Sequence, residues 1–304
     1  MSYSEDRQLV KIIREICQEN NIALKEFSES WIMQLEKDKK STYIYGYKFE
    51  NNSATTLSIC NDKAATYQVL SNNGVDSVKH DFFMRYKHTK FSQLYSEMLQ
   101  LLNKYKTIVV KNNTGSGGKL VFKVSNKLQL KQALKKLLKH TKFICVSPYV
   151  DIQKEYRCVM CDNNVELIYE KVRPSVTGNG KLTIKKLISE LPYEIKPNKT
   201  IKLNYIPKKG EIITLNWKHN LYYGASAKLN LDNKTKTILT KIAKSTTKIL
   251  KAKFVSVDVV LIGNTYKVLE VNSGIMMEKF SSFSHQTYDK AKQIYTKAIL
   301  SLLN

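Results

Sequence analysis

The sequence predicts an α+β fold, with helices and strands mixed along the chain and an antiparallel sheet at its centre. Three observations carry the prediction. Strand-like and helix-like stretches follow one another without the strict strand–helix–strand rhythm of a parallel sheet. Several strands come as adjacent pairs joined by short polar turns, as in "EYRCVMCDNNVELIYEKVRP". One such pair, "VVKNNTGSGGKLVFKV" from Val109 to Val124, encloses a glycine-rich loop.

Taken in order, "DRQLVKIIREICQENN" has the 3.6-residue apolar period of an amphipathic helix and ends in turn-forming residues. "STYIYGYKFE" is strand-like. "NDKAATYQVLSNNG" reads as a helix capped by Asn61 or Asp62 and stopped at Gly74. "FSQLYSEMLQLLNKY" is a helix leading into the glycine hairpin, and "NKLQLKQALKKLLKH" is a helix following it. "KFICVSPYV" is a strand running into a turn. The next two strands meet at Asp162-Asn163-Asn164, and in "VTGNGKLTIKKLISEL" Thr183 is placed to cap a short helix. A long lysine-rich helix, the hairpin "FVSVDVVLIGNTYKVLEVNSG" and the helix "SHQTYDKAKQIYTKAILSLL" close the sequence. No internal repeat and no disordered tail is read.

The 304 residues can bury a large core. The polar start "MSYSEDRQLV" does not resemble a signal peptide, and no apolar run approaches the roughly 20 residues of a membrane span, so a cytoplasmic protein is expected. Five scattered cysteines fit a reducing compartment. Cys158 and Cys161 form a C-x-x-C, but on a strand residues three apart point to opposite faces, and no second pair completes a zinc site. The net charge of +24 invites a nucleic-acid reading. Only five of the 50 basic residues are arginine, however, and the 45 lysines are spread along the chain. Arginine is the preferred residue for bidentate phosphate and base recognition. The pattern fits the codon bias of an AT-rich genome with lysine coating solvated faces, and no specific nucleic acid is expected.

The glycine loop fits neither familiar phosphate-binding pattern. Gly118-Lys119 is followed by Leu120 rather than Ser or Thr, and Asn113 stands where a Walker loop has its first glycine. "KLVFKV" alternates with period 2, so a strand follows where a dinucleotide fingerprint needs a helix. The loop is a hairpin tip with Lys111 at the end of its first strand: a plain turn, or a flap over phosphates. In "VDVVLIGNTYKVLEVNSG", Glu270 and Asn272 project from one face of a strand among apolar neighbours, with Asp258 on the strand before. Either these carboxylates pair with lysines, or with Asn272 they form an oxygen-donor set suited to Mg²⁺. A three-residue loop, Gly263 to Thr265, would set Asp258 opposite Glu270; a two-residue Gly263-Asn264 turn would point it away. The metal reading therefore expects the three-residue loop.

A glycine hairpin, a strand with a following turn, and a carboxylate hairpin in this order resemble the ATP-grasp superfamily, over the chain from about Asn61 to its end. The nearest flavours are the ribosomal-protein glutamate ligases, the cyanophycin synthetases and the ATP-grasp part of bifunctional glutathione synthetases; "VTGNGKLTIKKLI" is especially similar to a cyanophycin-synthetase segment. The resemblance implies two α+β subdomains clasping ATP: a short N-terminal region (1–60), a helical linker (61–105), a lid (106–147) and a catalytic subdomain (148–304). It places Lys63 and Lys111 on ATP phosphates and Gly115, Ser116 and Gly117 in the flap. The backbone of the hinge Ser147, Pro148, Tyr149 and Val150 would meet adenine, and Glu155 the ribose. Asp258, Glu270 and Asn272 match ligands of two Mg²⁺ ions, with Mn²⁺ able to substitute. Lys218 and Asn220 resemble the family's Arg-x-Asn, and Arg157 and Arg173 stand where phosphate or carboxylate is recognised.

The implied activity is ATP-dependent ligation of a carboxylate to an amine through an acyl phosphate, on amino acids or peptides. The alternatives are a kinase or other acyl-phosphate user of the same fold, and a polyanion binder with a degenerate nucleotide site. Two departures bear on substrate. "SGIMMEKF" follows Asn272 where most relatives have a small residue and proline, and the region before Asn61 is about half the usual length. Completion of the substrate site is therefore expected from this loop, from a second copy of the chain, or from a partner protein.

Overall fold

The computed structural model describes residues 7–86, 90–191 and 193–304, so the expectation for the first six residues lies outside it. Helix α1 (Gln8–Glu19) buries Leu9, Ile12, Ile13 and Ile16 along one stripe. An antiparallel meander follows: β1 (Ala23–Phe27), β2 (Ile32–Lys37), β3 (Lys40–Tyr45) and β4 (Lys48–Phe49). Only its second half is evident in the sequence. The meander buries Met33, Leu35, Ile44 and Phe49 on one face, against α1 and the chain's last helix.

Two helices come next, α2 (Ala54–Asn61) and α3 (Lys63–Asn72). The Asp62 carboxylate accepts from the Ala65 amide and so caps α3, which fixes Lys63 in its first turn. Gly74, at φ +74°, follows the helix in the left-handed region. A second antiparallel sheet contains β5 (Asp81–Met84), then, after α4 (Phe91–Tyr105), β6 (Ile108–Asn112) and β7 (Val121–Val124), and, after α5 (Lys127–Leu137), β8 (Phe143–Pro148). Its strand order is β5-β8-β6-β7, and α4 and α5 bury Met98, Leu102, Leu130 and Leu134 against Val110 and Val146. The glycine loop joins β6 to β7, with Lys111 paired to Val121 at the loop end of the hairpin.

The central sheet is antiparallel throughout, as expected. Strands β9 (Lys154–Cys161) and β10 (Asn164–Val172) meet at Asp162-Asn163, both at positive φ. A small module follows, with β11 (Ser175–Thr177), α6 (Ile184–Ser189, capped by Thr183) and β12 (Ile212–Thr214). Then come β13 (Ser226–Lys228), α7 (Asn233–Leu250), β14 (Phe254–Ile262), β15 (Thr265–Asn272), α8 (Glu278–Ser281) and α9 (His285–Leu303). The order is β13-β10-β9-β14-β15. Cys158 and Cys161 do fall on opposite faces: Cys158 joins the core under α7, and Cys161 the core shared with α1, α9 and the meander.

Strand alternation explains how one sheet carries both a core and a charged site. On the face that includes Val159, Cys161, Leu167, Tyr169 and Phe254, the same strands carry Glu155, Arg157, Lys171 and Asp258 at their other end. The β14–β15 hairpin corrects one expectation. Ile262 pairs with Thr265, so the turn has two residues, Gly263-Asn264, and not three. Asp258 nevertheless lies opposite Glu270, because Val259 pairs with Val268 and Leu269 is left as a β-bulge. One inserted residue reverses the facing of every later side chain on its strand. Val268 therefore points into the α7 core while Glu270 joins Asp258 on the other face.

Candidate functional site

The charged end of the central sheet faces the β6–β7 hairpin across a cleft. The two sides meet at Asn113, whose fully buried side-chain oxygen accepts from the Ala64 amide, tying α3 to the lid. Lys63 donates from Nζ to the Asn113 carbonyl at 3.3 Å and the Gly115 carbonyl at 2.5 Å, with Glu270 at 4.0 Å. Burial lowers its pKa, against the pull of Glu270. Lys218 reaches the loop from the opposite side, donating to the Gly118 carbonyl at 2.8 Å; burial lowers its pKa also. Gly118 sits at φ +69°, and a Cβ there would fall 2.8 Å from the Asn220 amide nitrogen, so the loop approaches Asn220 as only glycine allows. Lys63, which the resemblance places on ATP phosphate, and Lys218 are thus both bonded to carbonyls of the glycine loop.

Lys111 differs. It is 7% exposed, lines the cleft, and its ammonium makes no hydrogen bond or ion pair among the described residues, with Glu270 within electrostatic reach. A buried ammonium with no directly bonded partner is costly, so its position suits a ligand anion. Ser116 and Gly117 lie in the same loop and line the cleft with it.

Of the hinge residues, Ser147 pairs with Val109 within the lid sheet and the Tyr149 amide donates to the Thr107 carbonyl at 3.0 Å. The Val150 amide has no hydrogen-bond partner among the described residues. Tyr149 meets Trp217 edge-on, with ring centroids 6.2 Å apart, and Lys123 lies 3.6 Å over the tyrosine ring. Val78, Val109, Val121 and Leu269 give this end apolar walls.

At the floor, Arg157 binds Asp258 with two parallel hydrogen bonds of 2.8 Å, and Lys171 adds a third at 3.1 Å. Lys171 also pairs with Glu155, which is buried within this network. Burial opposes the Asp258 charge, but Arg157 and Lys171 outweigh it and hold the carboxyl far below the usual range. Burial pushes the Glu155 carboxyl up, and Lys171 draws it back. Glu270 is also held low: burial opposes its charge, and Lys63, Lys111 and Lys171 together more than compensate.

Asp258, Glu270 and Asn272 fit a hard divalent cation by donor chemistry. The two carboxylates face each other across paired strands, and the Asn272 amide lies 3.4 Å from Glu270 Oε1. Among the described residues no three His, Cys, Asp or Glu side chains form a cage. Mg²⁺ suits such a sparse set, since it is bound by one or two carboxylates plus substrate phosphates. Glu270 opens onto the cleft, whereas Asp258 is fully buried with three of about four acceptor positions taken. Of the two carboxylates, Glu270 is the one whose oxygens are open to a cation.

The remaining sequence-predicted residues also reach the cleft. Arg173 lies just beyond β10, and Asn220 uses its oxygen to accept from the Tyr222 amide, capping a 3-10 turn at Leu221–Tyr223. The segment after Asn272 contributes Met276, Lys279 and Phe280 to the wall. Glu278 turns away to accept from the Gln8 and Leu9 amides and from Tyr47, anchoring α1. Sequence reasoning missed Lys171, Trp217, His219 and Lys279. Lys171 had a visible sign, since it shares a strand face with Arg173 in "EKVRP".

No family model and no curated protein matches the sequence. Solved structures do. The chain is similar to a bifunctional glutathione synthetase from Pasteurella multocida, at 16% identity and TM-score 0.57, over 96% of this chain and 44% of that one. It is similar to a D-alanyl-alanine synthetase A from Vibrio cholerae, at 12% identity and TM-score 0.63, over 97% and 92%. It is also similar to a D-alanine–D-alanine ligase from Bacillus anthracis complexed with ATP, at 17% identity and TM-score 0.51, over 82% and 66%. The chain thus spans less than half of the first of these proteins and just under two thirds of the last. Identities this low establish architecture alone: this chain has the ATP-grasp fold.

Proposed function

We propose that the protein is an ATP-dependent carboxylate–amine ligase that releases ADP and phosphate and joins an amino acid or peptide carboxylate to an amine. The observation that carries this reading is the convergence on one cleft of Lys63, Lys111 and Lys218 with the oxygen donors Glu270 and Asn272, with Asp258 buried behind them opposite Glu270. The similar structures, named as a glutathione synthetase and D-alanine ligases, support it.

A carboxylate is a poor electrophile, so it must become an acyl phosphate before an amine can attack. Phosphoryl transfer asks little covalent chemistry of a protein; it needs positioned cations around the transferred group. In this chain Lys111 would receive the phosphates from the lid side and Lys63 from α3, outside the lid, while Lys218 and Arg173 would receive the transferred group. Asp258, Glu270 and Asn272 would hold two Mg²⁺ ions (or Mn²⁺), which would neutralise charge between phosphate oxygens. The Val150 amide would meet the base. The glycine flap, closed, would keep water from the acyl phosphate.

The test is ADP release from Mg-ATP with pooled amino acids and peptides. Release that requires both an acid and an amine supports ligation. Phosphorylated acid without amide formation would make the protein a kinase, and no release with any pool would defeat the reading. Flap closure has its own measurement. Hydrogen exchange over residues 112–118 is expected to slow with a nonhydrolysable ATP analogue, and equal protection with and without it would count against closure.

Salt separates this reading from polyanion binding. Raising salt from about 0.05 to 0.2 M should weaken DNA or RNA binding by orders of magnitude, because exposed lysines act through counterion release. Mg-ATP binding should weaken far less, since buried charges are poorly screened. Lys111→Ala should cut ATP affinity about tenfold or more, the loss of one charge-assisted contact, yet leave nucleic-acid binding unchanged. Salt-resistant, sequence-selective nucleic-acid binding without ATP affinity would reverse the conclusion.

A further inference from the structure

The residue between Lys218 and Asn220 is His219, which is buried and has both ring nitrogens engaged. Arg173 Nε donates to His219 Nε2 at 2.7 Å. His219 Nδ1 lies 2.7 Å from the Lys171 carbonyl oxygen. Arg173 Nη2 donates to the Ile152 carbonyl. A guanidinium has only donors, and a carbonyl oxygen only accepts. With the Arg173 Nε–H directed at it, Nε2 accepts, and Nδ1 donates to Lys171; the Ile152 carbonyl, which also lies near the ring, is taken by Arg173. One form of the ring satisfies both: neutral imidazole protonated on Nδ1. Burial favours the same form, bringing the His219 pKa down to about 4 with the Arg173 and Lys171 charges assisting.

The consequence falls on Arg173. Of its five N–H groups two are engaged, one by His219 and one by Ile152, which leaves three for a ligand in the cleft that Arg173 lines. An arginine beyond the end of a strand would otherwise sample many rotamers. We propose that His219 is a positioning residue: as an Nδ1-protonated imidazole it fixes the Arg173 guanidinium so that its free donors meet the transferred phosphate or the carboxylate under activation. The proposal rests on the ligase reading for what Arg173 contacts, but the pairing itself can be measured without turnover.

The substitutions divide the two ring contacts. Gln at 219 places an amide oxygen near the Nε2 position and can still accept from Arg173. Asn reaches only the Lys171 carbonyl, and Leu makes neither bond. His219→Gln should keep turnover within about threefold, while His219→Asn and His219→Leu lose about 10- to 100-fold in kcat, the scale of an ångström misplacement at a reacting centre. KM for ATP should stay within about twofold. The decisive comparison is a double-mutant cycle. In an Arg173→Ala background, His219→Leu should cost nothing further, because residues acting as a unit are not additive. Equal losses in both backgrounds would show that His219 merely supports the fold and would overturn the proposal.

The second measurement is ¹⁵N NMR of the histidine rings, with the His219 signals identified by their loss in His219→Gln. A protonated Nδ1 and a bare Nε2 are expected at neutral pH, with the same tautomer in Arg173→Ala but a shifted Nε2 resonance, because the Lys171 carbonyl still holds the Nδ1 proton while Nε2 loses its donor. A wild-type ring protonated on Nε2 would overturn the pairing. If the wild-type protein released no ADP, the ligase reading would fall and the tautomer would decide the pairing alone.

Discussion

Glu270→Ala should abolish magnesium-dependent ADP release, lowering it by about 10²- to 10³-fold or more, while the protein stays folded. Three features of the site set the size of the effect. Glu270 is the carboxylate that opens onto the cleft, whereas Asp258 is fully buried and mostly engaged. Lys63, Lys111 and Lys171 together hold the Glu270 carboxyl below its ordinary range, the ionised form that a ligand to a divalent cation must take. Interactions that stabilise developing charge in a water-poor site are worth about 10²–10³ each when removed singly. The fold should tolerate the change because Lys63 retains its bonds to the Asn113 and Gly115 carbonyls. Unfolding free energy should fall by no more than about 1 kcal/mol, the scale of a partly exposed ion pair. Glu270→Gln keeps the shape and should be equally inactive, which separates charge from packing. ADP release at the wild-type rate in either variant, across a magnesium titration, would remove Glu270 from the metal site.

The antiparallel sheet and most of the helices were legible because each has a strong local sign. Asp62, Asn126 and Thr183 stand one residue before their helices and cap them as their side chains allow. Asp162 and Asn163 turn the β9–β10 hairpin at positive φ, which these residue types tolerate. The first half of the N-terminal meander was not legible. In β1 and β2, Lys25, Glu26, Gln34 and Glu36 sit among the apolar residues, and pairing with neighbouring strands supplies what weak local preference does not.

The carboxylate hairpin shows a different limit. Parity along the strands allowed two turns, and the constraint that Asp258 face Glu270 selected the longer. The chain meets that constraint with the shorter turn and a bulge at Leu269, and no side chain in "KVLEVN" announces an inserted residue. Lys171 and His219 were missed for a related reason. Their significance lies in partners far along the chain, Asp258 and Glu155 for one and Arg173 for the other. Residue type alone could not show that these groups converge on one cleft.

Asp258→Leu should separate stability from turnover more sharply than any other change at the site. Asp258 is fully buried, and its two oxygens receive the Arg157 fork and Lys171 Nζ. Removing it strands the Arg157 guanidinium and leaves Lys171 with Glu155 alone. Deleting one partner of a buried ionic network costs about 3–5 kcal/mol, chiefly from the uncompensated charge left behind. The variant should therefore unfold at distinctly lower urea concentration than Glu270→Ala, although both fail to release ADP. The same reasoning fixes the remedy. Replacing both ends of the fork, as Asp258→Leu with Arg157→Met, leaves apolar side chains of similar volume against each other and keeps the Lys171–Glu155 pair. Apolar substitution of whole buried pairs is commonly neutral or stabilising, so the double variant should recover most of the lost stability and none of the turnover. If Asp258→Leu alone were as stable as wild type, the buried pair would not be holding the sheet together. If the double variant regained activity as well as stability, Asp258 would be a structural carboxylate, and the metal-binding role would belong to Glu270 and Asn272 without it.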